Sequence, residues 1–355
     1  MTDRFAVIMA GGSGTRFWPR SRKSRPKQLL EIRPGRTLIQ ETLDRLPDWL
    51  PRERVIAVTN VEQAEALVAH TGLSPENVLR EPMGRDTAPC VALAAAIVEK
   101  RCPGAAMAVL PADHLIEDVE AFRADLERAF RTAESEDSLL TFGIHPDHPA
   151  TGYGWIELAQ RRVDGLFPVE SFREKPDEKT ARRFLRSGRF LWNSGIFVWR
   201  SSVIREEIAE FLPELASAIG SIEARLDTPR LAEELARIYP TLEPVSIDRG
   251  ILQKSDRIVC LAASFDWDDL GSFESLVRQG DVDEEGNVVF GEAEWLNAEG
   301  CLVDNHADGI VALLGVKDLL VVRVDDAVLV ARRDQEQQVR DLVQRLKERG
   351  KDRYL

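Results

Sequence analysis

The sequence predicts an α/β fold, a parallel sheet with helices on both faces, followed by a small β-rich module. Three observations point there. Short apolar runs alternate with amphipathic stretches through the first half, β-rich runs predominate from about residue 152, and after about residue 280 the runs shorten and are separated by Gly, Asn and Asp. Strand–helix alternation is the signature of parallel pairing, and ligands of such sheets sit at the carboxyl ends of the strands.

In chain order, strands are expected at Phe5–Met9, Arg54–Thr59, Val78–Arg80, Met107–Pro111 and Leu139–Gly143, with helices at Leu38–Leu46, Val61–His70, Thr87–Lys100 and Val119–Glu134 between them. Asp86-Thr87 reads as the N-cap of an alanine-rich helix. The middle part offers strands at Trp155–Leu158, Val169–Phe172 and Gly195–Trp199, helices at Ser202–Leu212 and Leu231–Ile238, and a strand at Arg257–Ala262. It reads as an insertion building the acceptor side of one cleft. The last part offers strands at Asn287–Phe290, Cys301–Val303, Ile310–Leu314, Leu319–Val324 and Ala327–Ala331, then a charged helix at Gln335–Glu348. Pattern alone leaves a β-helix fragment and a small barrel both open for this module.

With 355 residues, 44% apolar and 30% charged, the chain has the composition of a globular protein of roughly two domains. Its net charge of −13 argues against a nucleic-acid coat or a basic membrane-surface protein. No apolar run approaches the roughly 18 residues of a membrane span, and the short run before Gly11 is not a signal sequence, so a cytoplasmic protein is expected. The four cysteines form no C-x-x-C pair and the histidines no H-x-x-x-H pair, which leaves zinc and redox motifs unsupported.

The sharpest chemical signal is Ala10-Gly11-Gly12-Ser13-Gly14-Thr15-Arg16, directly after the first strand. Glycines let backbone amides approach phosphate oxygens, and a nest of amides favours anions. The string is not G-x-x-x-x-G-K-[ST], and the dinucleotide pattern fails because Phe17 stands at its third glycine. A plain Gly-rich turn is the alternative. The neighbouring charges favour phosphate: Arg16, Arg20, Arg22, Lys23, Arg25 and Lys27 are six cations with no acid among residues 16–27. Lysine is scarce, nine against 38 arginines, which draws attention to Lys27.

Acids fall at two further places. Asp113 ends the apolar run before His114, and Asp266-Trp267-Asp268-Asp269 forms a second cluster. One carboxylate from each suits Mg²⁺, which in phosphoryl chemistry is held by one or two carboxylates plus phosphate oxygens. A turn acid and a surface acidic turn are the bland alternatives.

Taken in order, GGSGTRFWPRSRKSRPKQ, REPMGRDTAP, PADH, TGYGWIE, FREKP, WNSGIF and FDWDDLGSF resemble the mannose-1-phosphate guanylyltransferases, the GDP-mannose pyrophosphorylases, over nearly the whole chain. The resemblance implies a Rossmann-like nucleotidyltransferase domain with a mixed, mostly parallel sheet at residues 1–280. It also implies a small left-handed β-helix-like domain at residues 281–355, ending in a helix. It implies transfer of GMP from GTP to mannose 1-phosphate, giving GDP-mannose and pyrophosphate, with Mg²⁺ as cofactor. Gly11, Gly12, Ser13, Gly14 and Thr15 would wrap the phosphates, with Arg16 and Lys27 catalytic. Asp113 and Asp269 match the metal ligands. Glu81, Pro82, Arg85, Asp86 and Thr87 lie in the base-side motif, and Gly152, Tyr153, Gly154, Glu174, Lys175 and Asn193 match the sugar side. No nucleic acid or membrane partner is implied, and a homodimer is compatible with it.

One departure stands out. Relatives show S-I-D-aromatic…E-K, whereas this chain reads Ser246-Ile247-Asp248-Arg249 and ends Gln253-Lys254, which argues against carrying a sugar-side role onto this segment. A carboxylate at Glu81 accepting from guanine N1–H and N2–H₂ would select guanine, since adenine offers no donors there. Another hexose 1-phosphate or nucleotide, a non-catalytic sugar-nucleotide sensor and a nicotinamide oxidoreductase are the competing readings. Arg16, Lys27, Asp113 and Asp269 are all present, which disfavours the sensor, and the incomplete fingerprint disfavours the oxidoreductase.

Overall fold

The computed structural model describes residues 3–12, 14–32, 35–159 and 165–355. The chain divides into two compact units, one of Met1–Gly11, Thr42–Ala112 and Ile116–Trp267, the other of Gly12–Glu41, Asp113–Leu115 and Asp268–Leu355.

Along the first half run β1 (Arg4–Met9), α1 (Leu38–Asp44), β2 (Val55–Asn60), α2 (Ala64–Thr71), β3 (Val78–Glu81), α3 (Thr87–Arg101), β4 (Ala106–Pro111), α4 (Val119–Ser135) and β5 (Leu139–Ile144). The middle holds β6 (Gly154–Leu158), β7 (Leu166–Glu174), α5 (Glu178–Ser187), β8 (Phe190–Arg200), α6 (Ser201–Phe211), α7 (Pro213–Ile222), α8 (Leu231–Ile238) and β9 (Ile258–Ala262). These nine strands form one mixed sheet in the order β3-β2-β1-β4-β8-β5-β9-β7-β6. β3, β2, β1 and β4 run parallel, as do β5 and β9, while β8 lies antiparallel between β4 and β5. The middle strands therefore continue the same sheet, as a mixed sheet over residues 1–280 requires. Alternation of apolar residues shows that a strand is half or fully buried but not which strand it pairs with.

Period-two alternation places helices on both faces. Phe5 and Val7 of β1 and Met107 and Val109 of β4 share a core cluster with α3, α6, α7 and α8. Ala6, Ile8, Ala108 and Leu110 alternate with them and are equally buried. α3 is buried on nearly every side from Ala88 to Val98, and its five alanines allow backbones to approach it closely. Asp86 caps it, its carboxylate accepting from Thr87 N at 2.7 Å. α4 is amphipathic instead, burying Phe122, Leu126, Ala129, Phe130 and Ala133.

The chain passes outward from β1 through β2 to β3 and returns to β4 on the other side of β1. In open α/β sheets such a reversal marks the usual ligand position, here the carboxyl ends of β1 and β4. The two strands finish in register at Met9 and Pro111, and Ala112 N donates to Met9 O at 3.1 Å.

In the second unit, α9 (Phe273–Val277) precedes β10 (Val288–Phe290), β11 (Ala293–Leu296), β12 (Leu302–Asn305), β13 (Val311–Leu314), β14 (Leu319–Val324), β15 (Ala327–Arg332) and α10 (Val339–Glu348). β10, β12 and β14 stack as parallel rungs, with Val288 opposite Leu302 and Leu302 opposite Leu320, and β11 pairs parallel with β13. This is β-helix-like coiling, closed by antiparallel β15. The aliphatic column packs with Phe17, Trp18, Leu30, Phe273 and Leu276. The charged terminal helix starts as a 3-10 turn at Arg333–Gln338 and is α-helical from Val339. No helix among the described residues is long and apolar enough to cross a membrane.

Candidate active site

In the second unit the glycine loop delivers Lys27. Gly14 adopts φ 61°, and a Cβ there would lie 2.4 Å from Lys27 Cβ and 3.1 Å from Lys27 N. Only glycine combines that left-handed backbone with so close an approach. The Lys27 side chain is buried, and its Nζ donates to Asp113 Oδ2 at 2.8 Å and to the Asp269 carbonyl oxygen at 2.6 Å. Burial opposes ionisation of Asp113, but Lys27, and then His114, hold its carboxyl below the usual carboxylate range.

The two acidic motifs are stitched together by their backbones. Leu115 N donates to Asp268 O at 2.9 Å and Asp268 N to Leu115 O at 3.0 Å. Leu270 is fully buried with Leu38 and Leu115 and takes φ 45°, turning the chain beside Asp269. Asp269 Oδ1 accepts from Gly271 N at 2.9 Å, and Asp268 is occupied by Arg278. Asp113 and Asp269 thus sit on bonded segments that share Lys27, and both are hard oxygen donors of the kind that hold Mg²⁺.

The basic run divides. Arg20 is buried against Asp304, Arg22 pairs with Asp326 and Lys23 with Asp352, so these three secure the second unit internally. Arg16 is exposed, and its side chain makes no hydrogen bond or ion pair among the described residues. Thr15 and Gly12 are exposed, while Ser13 lies outside the described residues.

Gly14→Ala should force Lys27 away from Asp113. The strained φ alone costs about 1 kcal/mol or more. We expect a lower unfolding temperature together with a loss of turnover of at least tenfold. Wild-type values of both would contradict the close approach.

In the first unit, the base-side motif follows β3. Glu81 is buried, its Oε1 accepts from Tyr239 Oη at 3.0 Å, and its Oε2 lies 3.6 Å from where a Cβ on Gly11 would stand. Burial pushes the Glu81 carboxyl up to about 7, against the lowering effect of the Tyr239 bond. Pro82 is half-buried beside it. Arg85 donates from Nε to Tyr239 O and from Nη2 to Pro240 O, both at 2.8 Å. Its planar fork is therefore used on backbone carbonyls. Thr87 Oγ1 accepts from Ile247 N at 2.8 Å, and Asp86 stands at φ 67°.

The sugar-side motifs meet in the same unit. Gly154 of β6 pairs with Glu174 of β7, and a Cβ on Gly154 would come 2.8 Å from Glu174 Oε2. Lys175 N donates to Tyr153 O at 3.2 Å and Lys175 Nζ pairs with Glu174 Oε1 at 2.9 Å. Tyr153 meets Trp192 and Trp267 edge-on at 5.1 and 5.3 Å between ring centroids, and Gly152 is exposed next to it. Asn193 is held at both ends, Oδ1 accepting from Thr141 Oγ1 and Nδ2 donating to Asp248 Oδ1, each at 2.9 Å. Asp248 belongs to the segment whose sequence departs from its relatives. Burial, then the charge of Glu174, pushes its carboxyl up to about 7. Sequence reasoning missed Tyr239, Thr141 and the part played by Asp248, and nothing in local spacing marks them.

A nine-stranded mixed sheet with a reversed strand order in one unit, and in the other a glycine turn that seats a lysine on an aspartate carboxylate, are the features of a nucleotidyl-transfer protein. The family described as "Nucleotidyl transferase" matches residues 5–285, and the "MannoseP isomerase/GMP-like beta-helix domain" matches residues 291–346. The Escherichia coli (strain K12) mannose-1-phosphate guanylyltransferase is 36% identical over 364 residues, covering 99% of this chain and 75% of that protein. The Xanthomonas campestris xanthan biosynthesis protein XanB is 36% identical over 365 residues with the same coverage. A crystal structure described as mannose-1-phosphate geranyltransferase from Thermus thermophilus superposes with TM-score 0.87 at 36% identity, covering 97% of this chain and 99% of that one. The chain belongs to the mannose-1-phosphate guanylyltransferase family.

Proposed function

We propose that this chain transfers GMP from GTP to mannose 1-phosphate, releasing GDP-mannose and pyrophosphate. The observation that carries the chemistry is Lys27, buried between the Asp113 carboxylate and the Asp269 carbonyl. The nucleophile is a phosphate-monoester oxygen, largely dianionic at pH 7 because its second pKa is about 6, so no general base is needed. What remains is to bring polyanions together and to stabilise the leaving pyrophosphate, which is positioning and electrostatics. Lys27 uses two of its three protons on Asp113 and Asp269, and the third serves an oxygen of the transferring α-phosphoryl. Arg16 and the backbone amides of Gly11, Gly12, Ser13, Gly14 and Thr15 hold the β and γ phosphates. A divalent cation, Mg²⁺ in our reading, held by Asp113 and Asp269, supplies charge neutralisation to the two phosphates.

Glu81 reads guanine, with Pro82 restricting its backbone. Asp86 and Thr87 shape the same motif, and Arg85 clamps the segment behind it. Glu174 and Asn193 bind sugar hydroxyls, with Gly152, Tyr153, Gly154 and Lys175 forming their setting. The catalytic part is assigned to 1–280 and the β-helix-like part to 281–355, a division supported by the family ranges 5–285 and 291–346. The proposed setting is the cytoplasm, and a homodimer is tested by light scattering.

Pyrophosphate release measured over GTP, ATP, UTP and dTTP with several hexose 1-phosphates tests the reading. Strong preference for GTP with mannose 1-phosphate supports it, and preference for another pair overturns it.

A pH dependence follows from Glu81. Above about pH 7 its carboxylate is ionised and accepts both guanine donors; below it the neutral acid carries a donor of its own. Tyr239 and the Cys90 thiol, which burial and Glu81 hold protonated, are the other titratable groups facing it. The GTP-to-ATP ratio of kcat/KM, which reports the free enzyme, should therefore fall as pH drops from 8 to 6. A flat ratio would contradict the assignment.

A further inference from the structure

We propose that Tyr239 is a positioning residue for base selection, fixing the Glu81 carboxylate so that one oxygen is anchored and the other is presented to the guanine edge. The inference rests on the reading of Glu81 as the guanine acceptor. Tyr239 stands outside the base-side motif, 158 residues from Glu81 in sequence.

Tyr239 is fully buried, yet its hydroxyl is not idle: it donates to Glu81 Oε1 at 3.0 Å. An ionised carboxylate only accepts, so the phenol proton is committed to it. Oε2 is the oxygen turned toward the backbone of Gly11, where the glycine loop begins. The Tyr239 backbone is in turn pinned by Arg85, which also holds Pro240. The same set of contacts continues from Ala88 N to Val245 O at 3.0 Å and from Ile247 N to Thr87 Oγ1 at 2.8 Å. The base-side motif Arg85-Asp86-Thr87-Ala88 thus grips the segment from Tyr239 to Ile247. A tyrosine from a distant helix end is thereby held against the reading carboxylate.

The hydroxyl has two physical effects. It stops the carboxylate from rotating about its last torsion, so Oε2 keeps one direction and its two lone pairs meet the guanine donors. It also favours the ionised form, opposing the burial that raises the carboxyl to about 7. Without it, Glu81 is neutral more often. It then offers an O–H that opposes guanine N1–H and accommodates the acceptor at adenine N1.

The test is kcat/KM for GTP, ITP and ATP with mannose 1-phosphate, at one pH, in wild type, Tyr239→Phe, Glu81→Gln and the double variant. A ratio between nucleotides is independent of the fraction of folded enzyme, so a purely structural loss leaves it unmoved. We expect Tyr239→Phe to lower the GTP-to-ATP ratio by about tenfold or more, as loss of one hydrogen bond to a charged group implies. Glu81→Gln should lower it further, and the double variant should match Glu81→Gln alone. An unchanged ratio in Tyr239→Phe beside a collapsed ratio in Glu81→Gln overturns the role of Tyr239 and leaves Glu81 as the reader. An unchanged ratio in Glu81→Gln overturns both.

Discussion

Lys27→Ala is expected to lower turnover by about two to three orders of magnitude, the usual cost of removing one donor aimed at developing charge. The ammonium is buried and fixed by two acceptors, so it needs no reorganisation as charge builds on the α-phosphoryl. The cost to folding should be much smaller. Asp113 keeps 31% of its side chain exposed, and water can replace the lost partner. Lys27→Arg should rescue little, because a planar guanidinium does not fit a seat built for a compact three-proton head. Arg16→Ala provides the contrast. It should cost about two orders of magnitude in turnover with no change in thermal unfolding, because its exposed side chain bonds nothing among the described residues. Wild-type turnover in either alanine variant would remove that residue from the catalytic group.

Asp269→Asn is expected to raise the divalent-ion concentration needed for half-maximal activity by about tenfold or more and to lower turnover at saturation. The variant separates two roles that Asp113 combines. Lys27 is bonded to the Asp269 backbone carbonyl, so the amide keeps that bond while it lowers the charge offered to a cation. Asp113→Asn alters both the lysine pair and the cation site, and should lose the greater activity. Titration of activity against MgCl₂ in the three proteins is the measurement. EDTA-insensitive pyrophosphate release in the wild type would sink the metal assignment.

How much of the fold is legible in the sequence depends on range. β1, β2 and β4 show as aliphatic runs bounded by turn residues, and α3 announces itself by the Asp86 cap and its alanines. α5 escapes notice because it buries only Ala181 and Phe184, too few for a visible stripe. α7 escapes too, since Pro213 at its start reads equally well as a loop residue. β11 is short and half-exposed. Pairings across the sheet are not legible at all, so nothing in the run Gly195–Trp199 tells that β8 lies between β4 and β5.

The candidate site divides in the same way. Gly14, Lys27, Asp113 and Asp269 each stand out as residue types in suitable strings, but their meeting across 86 and 242 positions is a property of the fold. The basic run looks uniformly suited to phosphate. Asp304 and Asp326, which neutralise Arg20 and Arg22, lie 284 and 304 residues further on, beyond any local pattern. Arg85 gives no sign in the sequence that its guanidinium holds Tyr239 and Pro240.

The central claim, attack by the sugar phosphate on the α-phosphorus of GTP, is tested most directly by isotope tracing. Mannose 1-phosphate carrying ¹⁸O in its three non-bridging phosphate oxygens is incubated with GTP and the enzyme, and the products are resolved by mass spectrometry. The account predicts one GDP-mannose per pyrophosphate, with all three labelled oxygens in GDP-mannose and none in pyrophosphate, because the bond broken is that between the α-phosphorus and the departing oxygen. Label in pyrophosphate, or release of GDP and phosphate in place of GDP-mannose, would contradict it.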